Sequence, residues 1–184
     1  ESHRLSPFNI RGTDVDVVLD LMIHDIDILL NLVKSDINNI VASGVSVLSN
    51  KIDMANTRIE FTNGCVANLT ASRISEKKLR KFRIFENNKY TNIDFLHPSQ
   101  ETYILAKNKP KKQSPYVIVN ENKEKYILYS KSKIKSYNAL TLELDNFINS
   151  ILNQKKPLVS AYDGLAAIEV AFKILQQINL NNNK

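Results

Sequence analysis

Glycine is scarce in this sequence, with only Gly12, Gly44, Gly64 and Gly164 among 184 residues. No two of them stand close enough for a GxGxxG or Walker-type loop, in which glycines let phosphate groups approach the backbone. Nucleotide binding through a glycine-rich loop is therefore excluded within these residues. Cysteine is scarcer still, because Cys65 is the only one. It cannot form an intramolecular disulfide, which is typical of proteins kept in a reducing cytosol.

Long apolar runs are also missing. No uncharged stretch approaches the roughly 20 residues that a membrane span needs, and no basic segment followed by an apolar one marks a secretion signal. We therefore expect a cytoplasmic protein without a membrane partner. The chain opens Glu1-Ser2-His3-Arg4 without an initiator methionine, so we expect it to begin within a longer protein.

Positive charge is concentrated in the middle of the chain. The net charge is +6, and residues 76–135 hold fifteen lysines and arginines against six acids. A basic segment of this kind could face nucleic acid or an anionic substrate, or it could be a solvated lysine-rich surface. The aromatic and basic signatures of RRM and KH domains are absent. We therefore expect no nucleic-acid partner.

The hydrophobic pattern predicts one helix, then many short strands, then two helices. Residues 14–33 have the composition of a helix, and residues 40–129 contain short β-prone runs with turn signals between them. Asn63-Gly64 predicts a two-residue hairpin turn, Asn87-Asn88 predicts a second hairpin, and residues 107–115 predict a polar loop. This order predicts an α+β fold, an open, mostly antiparallel sheet with helices packed on one face. We expect one domain over residues 1–184.

Two helices are predicted at the end of the chain. The first has an apolar side and is predicted to end at Lys155-Lys156-Pro157. Ser160 or Asp163 is predicted to cap the second. Its predicted apolar face consists of Leu165, Ile168, Phe172 and Leu175.

The first predicted helix combines apolar residues with acids. DVDVVLDLMIHDIDILLNL, residues 14–32, carries five aspartates and one histidine. Buried carboxylates are costly unless they are paired or hydrogen-bonded. On an ideal helix Asp20, His24 and Asp27 fall within about 80° of Asp16, whereas the other two aspartates fall on the opposite side. The polar groups are therefore sorted into a row.

Three interpretations of this row remain open. It could face solvent or satisfy backbone groups, in which case His24 is an ordinary hydrogen-bonded histidine. It could ligate a metal, since Asp and His four residues apart can share one ion, although no HExxH motif or other ligand cluster supports this. It could also perform acid/base chemistry, with Asp20 supporting His24 during proton exchange with a substrate hydroxyl. The spacing does not choose between the first and the third.

Four segments resemble one known family. DLMIHDID resembles the D-x-x-x-H-x-x-D helix of the Gfo/Idh/MocA oxidoreductases. SHRLSPFN resembles the strand that leaves that family's nucleotide-binding domain, and ANTRIEFTNGCVANLTASRI resembles its central hairpin. The ending LELDNFINSILNQKKPLVSAYDGLAAIEVAFKIL resembles its final helix pair. The resemblance covers nearly the whole chain.

The resemblance implies an enzyme of two domains. A Rossmann domain, absent from this chain, holds NAD or NADP, and the C-terminal α+β domain contributes the substrate pocket and oligomer contacts. This chain resembles only the second domain. The implied partners are a sugar, polyol or nucleotide-sugar substrate, the Rossmann domain in the same or a separate chain, and further copies that contact it through the sheet face. The alternative is a non-catalytic oligomerisation or binding module that keeps the same scaffold.

The resemblance also implies roles for the residues of the row. His24 is the implied acid/base at the substrate hydroxyl, and Asp20 is its partner or a substrate ligand. We place Asp16 and Asp27, which share the row, among the substrate-binding residues. The lysine of the family's Glu-Lys-Pro motif has no counterpart here, and Val17-Val18-Leu19 stands where glycines often occur. A bulkier approach to the pocket follows.

Two arginines could bind an anionic group of the substrate. Arg11 precedes the first helix, and Arg73 ends a predicted strand. Either could hold a nucleotide-sugar phosphate. Each could equally be a surface ion-pair partner. No residue of this chain is assigned to cofactor or metal binding.

Overall fold

The computed structural model describes residues 1–10, 12–106, 116–120, 123–135 and 137–182. The predicted loop at 107–115 lies outside the described residues. The chain divides into two compact units. The helical unit comprises residues 2–79 and 137–184, and the strand unit comprises Glu1 and residues 80–136.

The helical unit contains four strands, one π-helical turn and three α-helices. The π-helical turn (Val18–Met22) leads into the first α-helix, and we call the two together the helical segment. The elements are β1 Ser2–Leu5, α1 Ile23–Leu32, β2 Ile37–Val45, β3 Met54–Phe61, β4 Val66–Ser72, α2 Ala139–Leu152 and α3 Ala161–Asn182. The strands lie in the order β2-β3-β4-β1, with β1 parallel to β4 and the other pairs antiparallel.

Burial alternates along β3 and leaves one face of this sheet for the helices. Ala55, Ile59 and Phe61 are buried, whereas Asn56 and Arg58 between them are exposed. Alternate side chains of a strand point to opposite faces of its sheet. The buried face packs with the helices into one core, formed mainly by Met22, Ile26, Ile59, Leu69, Ile174 and Ile178. The predicted fold class, an open, mostly antiparallel sheet with helices on one face, is confirmed.

Gly44 lets α3 approach β2 closely. A Cβ atom at Gly44 would stand 2.8 Å from Cγ2 of Ile52 and 3.0 Å from Cδ1 of Ile178. The first distance is shorter than real Cβ contacts, and the second is tighter than most of them. A side chain at position 44 would therefore require Ile52 to shift and Ile178 of α3 to give way slightly.

The buried face of α3 differs from the predicted one. Of the four predicted residues only Leu175 is buried, while Leu165, Ile168 and Phe172 are 53%, 41% and 57% exposed. The buried residues are Ala167, Val170, Ala171, Ile174, Leu175 and Ile178. The helix is apolar on more than one side, and periodicity alone does not tell which side meets the sheet.

The apolar residues of α2 are exposed. No residue of this helix is buried, and Leu140, Phe147 and Ile151 are 62%, 58% and 62% exposed. The helix ends at Leu152, before the predicted Lys155-Lys156-Pro157, because Gln154 takes a left-handed conformation with φ of 51°. A non-glycine residue in that region interrupts a right-handed helix.

Ser160 and Asp163 form a capping box at the start of α3. The hydroxyl and backbone N–H of Ser160 both donate to Oδ2 of Asp163 at 2.7 Å, and the N–H of Asp163 donates to the Ser160 hydroxyl at 3.4 Å. This reciprocal arrangement satisfies donors that the helix leaves without partners. The predicted cap is therefore confirmed for both residues.

The strand unit is an antiparallel sheet. Its strands are β5 Leu79–Glu86, β6 Lys89–Asp94, β7 Ser99–Ala106, β8 Tyr116–Asn120 and β9 Lys123–Lys133, in the order β5-β6-β7-β9-β8. The sequence did not predict β8. The hairpin at Asn87-Asn88 is confirmed, since Glu86 pairs with Lys89. The hairpin at Asn63-Gly64 in the helical unit is also confirmed, although its connection runs from Thr62 to Cys65 and is longer than predicted.

One face of the strand unit carries a ladder of aromatic rings. Phe85, Tyr90, Tyr103 and Tyr129 lie opposite one another on four neighbouring strands, with successive ring centroids 4.9, 5.5 and 4.9 Å apart. We call these four residues the aromatic ladder. Cross-strand aromatic pairs stabilise a sheet, yet Phe85 at one end remains 62% exposed.

Candidate active site

The predicted first helix begins later than expected. Residues 12–15 form a turn and a bend, and the backbone carbonyl of Asp16 accepts the N–H groups of Leu19 (2.9 Å) and Asp20 (3.0 Å). The prediction that the helix starts at Asp14 was wrong, because Gly12 has φ of 81° and starts a turn there. Glycine adopts this conformation without the steric penalty that other residues meet.

Asp16 precedes the helix, so its side chain does not follow the helical row. Its Oδ1 atom accepts the backbone N–H of Ile52 at 2.8 Å. The N–H of Val17 donates to the carbonyl of Ile52 at 2.8 Å. These two bonds tie the start of the helical segment to the connection between β2 and β3. Asp16 therefore has a defined structural partner in the helical unit.

Asp20 lies in the π-helical turn against the backbone of Gly12. A Cβ atom at Gly12 would stand 3.4 Å from Oδ2 of Asp20. The carboxylate is half-buried. Because a π turn holds more residues than an α turn, the wheel positions of Asp20 and His24 differ from those of an ideal α-helix. Gly12 is consequently a direct neighbour of a predicted site residue.

Asp27 on α1 lies within electrostatic reach of His24, one turn earlier, and of Asp163, at the start of α3. His24 is exposed, and Asp27 is half-buried. Burial raises the pKa of Asp27 most, the negative charge of Asp163 raises it further, and His24 lowers it. The structure thus places Asp27 within electrostatic reach of an imidazole on α1 and of a second carboxylate on α3. The sequence analysis assigned Asp163 only to helix capping. Asp163 lies 139 positions after His24, and helical periodicity relates only residues of the same helix.

The other two aspartates of the segment are explained by their surroundings. Asp14 is exposed in the turn. Asp25 is buried and accepts two hydrogen bonds from Arg4, whose Nε and Nη2 atoms lie 2.8 Å from its two oxygens. A bidentate pair of this kind compensates a buried carboxylate. None of the five aspartates is left buried without a compensating group.

Arg73 lies beneath the turn that precedes the helical segment. It is 4% exposed, and its guanidinium donates to the backbone carbonyls of Gly12 and Val15, and of Ile52 at 3.2 Å. Its Nε atom stands 3.6 Å from Oδ1 of Asp53. These contacts give Arg73 a structural task that the sequence did not predict. The other predicted anion ligand, Arg11, lies outside the described residues.

A metal site finds no support among the described residues. They contain no group of three or more histidine, cysteine, aspartate or glutamate side chains placed to hold an ion. Within the same part of the chain, no helix has both the length and the apolar character that crossing a membrane requires.

The comparison with protein families decides the assignment. Residues 10–182 match the model of the C-terminal alpha/beta domain of the Gfo/Idh/MocA oxidoreductase family. The chain belongs to this family. The match confirms the resemblance that the D-x-x-x-H-x-x-D helix, the hairpin and the final helix pair indicate.

A nucleotide-sugar dehydrogenase is among the family members that this chain resembles. The UDP-N-acetylglucosamine 3-dehydrogenase of Acidithiobacillus ferrooxidans is 42% identical over 103 residues, which are 56% of this chain and 33% of that protein. A solved structure of that dehydrogenase superposes with a TM-score of 0.82 at 28% identity, covering 96% of this chain and 53% of that one.

Two more distant members share the fold. An NAD-binding protein from Listeria innocua has a TM-score of 0.72 at 18% identity, covering 98% of this chain and 57% of that one. Levoglucosan dehydrogenase in complex with NADH has a TM-score of 0.72 at 13% identity, covering 97% of this chain and 55% of that one. The chain thus spans about half the length of the solved family members that it matches.

Proposed function

We propose that this chain is the substrate-binding and acid/base domain of an NAD(P)-dependent dehydrogenase of sugars or nucleotide sugars. His24 exchanges a proton with the hydroxyl that is oxidised, or with the carbonyl oxygen when the reaction runs in reverse. The observation that carries the proposal is the position of Asp27 on α1, within electrostatic reach of exposed His24 on the same helix and of Asp163 on α3. The relationship to a UDP-N-acetylglucosamine 3-dehydrogenase supports the substrate class.

An imidazole suits this task because it gains and loses a proton near neutral pH. Asp20 and Asp27, on the same helical segment, would favour the imidazolium that forms when His24 accepts the proton. Asp27, being half-buried, would also accept a hydrogen bond from a neighbouring hydroxyl of the sugar. Asp16 is the least suited to substrate contact, because Ile52 already occupies one of its oxygens.

The described residues do not fit a dinucleotide. A pyrophosphate binds at a helix N-terminus where glycines let it approach the N–H groups. At the start of the helical segment Val17 and Val18 are fully buried instead. The dinucleotide, NAD or NADP, is therefore assigned to the Rossmann domain, and the task of this chain is binding the substrate and moving the proton.

The exposed apolar residues of α2 support the presence of a partner domain. A helix with large hydrophobic side chains and no buried residue normally meets another surface. We assign that surface to the Rossmann domain, in the same or a separate chain. The isolated 184 residues should then fail to enhance NADH fluorescence, and saturable enhancement would contradict this assignment.

The test of the acid/base role is His24→Ala in the native protein, with UDP-N-acetylglucosamine as the first substrate. General acid/base catalysis contributes about 10²- to 10⁴-fold, so kcat should fall by about that factor while circular dichroism stays unchanged. His97→Ala is the matched control, because His97 is also exposed but lies in the strand unit. Unchanged turnover in His24→Ala would defeat the proposal.

The alternative function is a non-catalytic oligomerisation or binding module. The aromatic ladder favours it, since a half-buried aromatic row that ends in exposed Phe85 is suited to contact with another protein surface. Under this alternative, His24→Ala would change neither turnover nor substrate binding. If His24→Ala loses turnover while its oligomer stays intact, the result supports the enzyme and rejects the non-catalytic module.

A further inference from the structure

One buried arginine binds the turn that precedes the helical segment, at residues 12–15. Arg73, just after β4, donates through Nη1 to the carbonyl of Gly12 and through Nη2 to those of Val15 and Ile52. Its backbone N–H donates to the carbonyl of Asp53 at 2.9 Å. A single side chain thus joins the turn, the end of β4 and the connection between β2 and β3. A planar guanidinium can do this because its five N–H groups point in fixed directions.

Asp53 supplies the negative charge that accompanies this arginine. It is fully buried, and Oδ2 accepts the backbone N–H groups of Val47, Leu48 and Ser49 at 2.8, 2.7 and 2.9 Å. Oδ1 accepts the hydroxyl of Ser49 at 2.6 Å and lies 3.6 Å from Nε of Arg73. An ionised carboxylate with this many donors is rigidly placed. It balances the charge of the guanidinium without a hydrogen bond to it, while the backbone carbonyl of Asp53 accepts the N–H of Arg73.

The assembly ends at a predicted site residue. Gly12, whose carbonyl Arg73 holds, lies directly against the carboxylate of Asp20. The backbone N–H of Asp20 donates to the carbonyl of Asp16. The side chain of Asp16 in turn accepts the N–H of Ile52, and the carbonyl of Ile52 accepts a hydrogen bond from Arg73. The side chain of Asp20 therefore stands beside a residue that Arg73 holds directly, and its backbone bonds to Asp16, the neighbour of Val15, whose carbonyl Arg73 also holds.

We propose that Arg73 and Asp53 are positioning residues for the acid/base site: they hold the turn at Gly12 so that the Asp20 carboxylate is fixed relative to His24. This rests on the proposed function. Both residues are buried, so we assign neither of them to substrate contact. Catalysis is sensitive to displacements of about 1 Å, which can cost roughly 100-fold in rate, so a loosened turn lowers turnover even when the protein stays folded.

The first variant is Arg73→Lys in the native protein, assayed with UDP-N-acetylglucosamine. Lysine keeps the charge but cannot bridge three carbonyls in one plane. We expect kcat to fall about 10- to 100-fold with a smaller change in KM. We also expect the acidic limb of the kcat/KM profile to move to lower pH, because a displaced Asp20 supports the imidazolium less. Unchanged kcat and an unchanged profile would overturn the proposal.

A double-mutant cycle separates positioning from general destabilisation. If Arg73 acts through Asp20, then Arg73→Lys combined with Asp20→Asn loses little more activity than Asp20→Asn alone. Additive losses would overturn the proposal. Leu69→Ala is the control for stability, since Leu69 is buried in β4 and its apolar side chain makes no hydrogen bond to the turn. It should lower the melting temperature and leave the pH profile in place.

A milder variant keeps the test available if Arg73→Lys does not fold. Ser49→Ala removes one of the four hydrogen bonds to Asp53 and should produce a several-fold loss of kcat with the same direction of shift in the pH profile. No shift would count against the proposal. The two proposals also fail differently. Unchanged turnover in His24→Ala defeats the proposed function. If His24→Ala and Asp20→Asn lose turnover but Arg73→Lys keeps the turnover of the wild type, only the positioning role is defeated.

Discussion

Arg4 and Asp25 form a buried bidentate ion pair that joins β1 to α1. Both N–O distances are 2.8 Å, and the two side chains are 10% and 4% exposed. Removing one partner of such a pair typically costs about 3–5 kcal/mol, because the other charge remains buried without compensation. We expect this loss in the free energy of unfolding for Asp25→Ala, measured by urea denaturation.

The control for the buried pair is the pair of Arg58 and Glu60, which is open to solvent and has an N–O distance of 2.9 Å. Exposed ion pairs contribute little, so Glu60→Ala should leave the denaturation midpoint nearly unchanged. Equal effects of the two substitutions would show that burial does not determine the contribution of the Arg4 pair.

Asp27→Asn should stabilise the protein at pH 7. Burial, and then the charge of Asp163, raise the pKa of Asp27 above its ordinary value of 3.8, so the folded state disfavours the ionised carboxylate. This penalty develops as pH rises through 3.8 and upward, and it vanishes at lower pH, where the group is protonated in both states. Melting temperatures at pH 3 and pH 7 test this, with a gain expected only at pH 7.

Asp163→Asn is the control with the opposite sign. Hydrogen bonds from the side chain and backbone of Ser160 lower the pKa of Asp163 below 3.8. Its stabilising effect is therefore present above pH 3.8 and is lost as pH falls through the folded pKa. We expect Asp163→Asn to lower the melting temperature at pH 7. A decrease for Asp27→Asn at pH 7 would contradict the prediction.

Gly44→Ala and Gly164→Ala should change stability in opposite directions. The new Cβ at position 44 would clash with Ile52 at 2.8 Å, and overpacking of this kind costs about 1–3 kcal/mol. Gly164 lies within α3 with open space around it, and alanine there should gain up to about 1 kcal/mol from helix propensity. Denaturant midpoints of the two variants decide this, and a neutral Gly44→Ala would show that α3 can shift on β2.

The native protein should be a homo-oligomer that buries the face of the aromatic ladder. Phe85, 62% exposed at one end of the ladder, is the side chain we expect to meet the second copy. Phe85→Lys should raise the dissociation constant of the oligomer at least about tenfold, since it places a charge in an apolar contact. Light scattering across a dilution series measures this.

Ile104→Lys is the matched control for the oligomer. Ile104 is 40% exposed and is adjacent to Tyr103 in β7, so its side chain points to the opposite face of the same sheet. The mass of this variant should equal that of the wild type. A monomeric wild type, or a mass unaffected by Phe85→Lys, would count against an interface on the ladder face.

Local sequence signals predicted the hairpins and the cap of the last helix. Asn87-Asn88 allows a tight turn without help from distant residues, and Ser160 with Asp163 satisfies donors within one helical turn. The predicted face of α3 failed for a different reason. Leu165 and Phe172 are as apolar as the residues that are buried, and the choice between the two sides depends on how the helix packs on the sheet.

The candidate site was predictable only in part. The row of acids around His24 could be read along one helix, and it led to the correct family. The displaced Asp16 could not be predicted, because its side chain bonds to Ile52, 36 residues further along the chain. The proximity of Asp163 to Asp27 likewise results from the packing of α1 on α3.

The sequence by itself determined the fold class, the two hairpins and the family, because turn residues, caps and the order of apolar segments act over short distances along the chain. Only the tertiary structure decided what the charged residues contact. Arg73 lies 61 residues from Gly12 and Arg4 lies 21 from Asp25, so no local pattern records either pair. A buried charge takes whichever compensating group the packing brings to it, and that group is defined only when the elements have assembled.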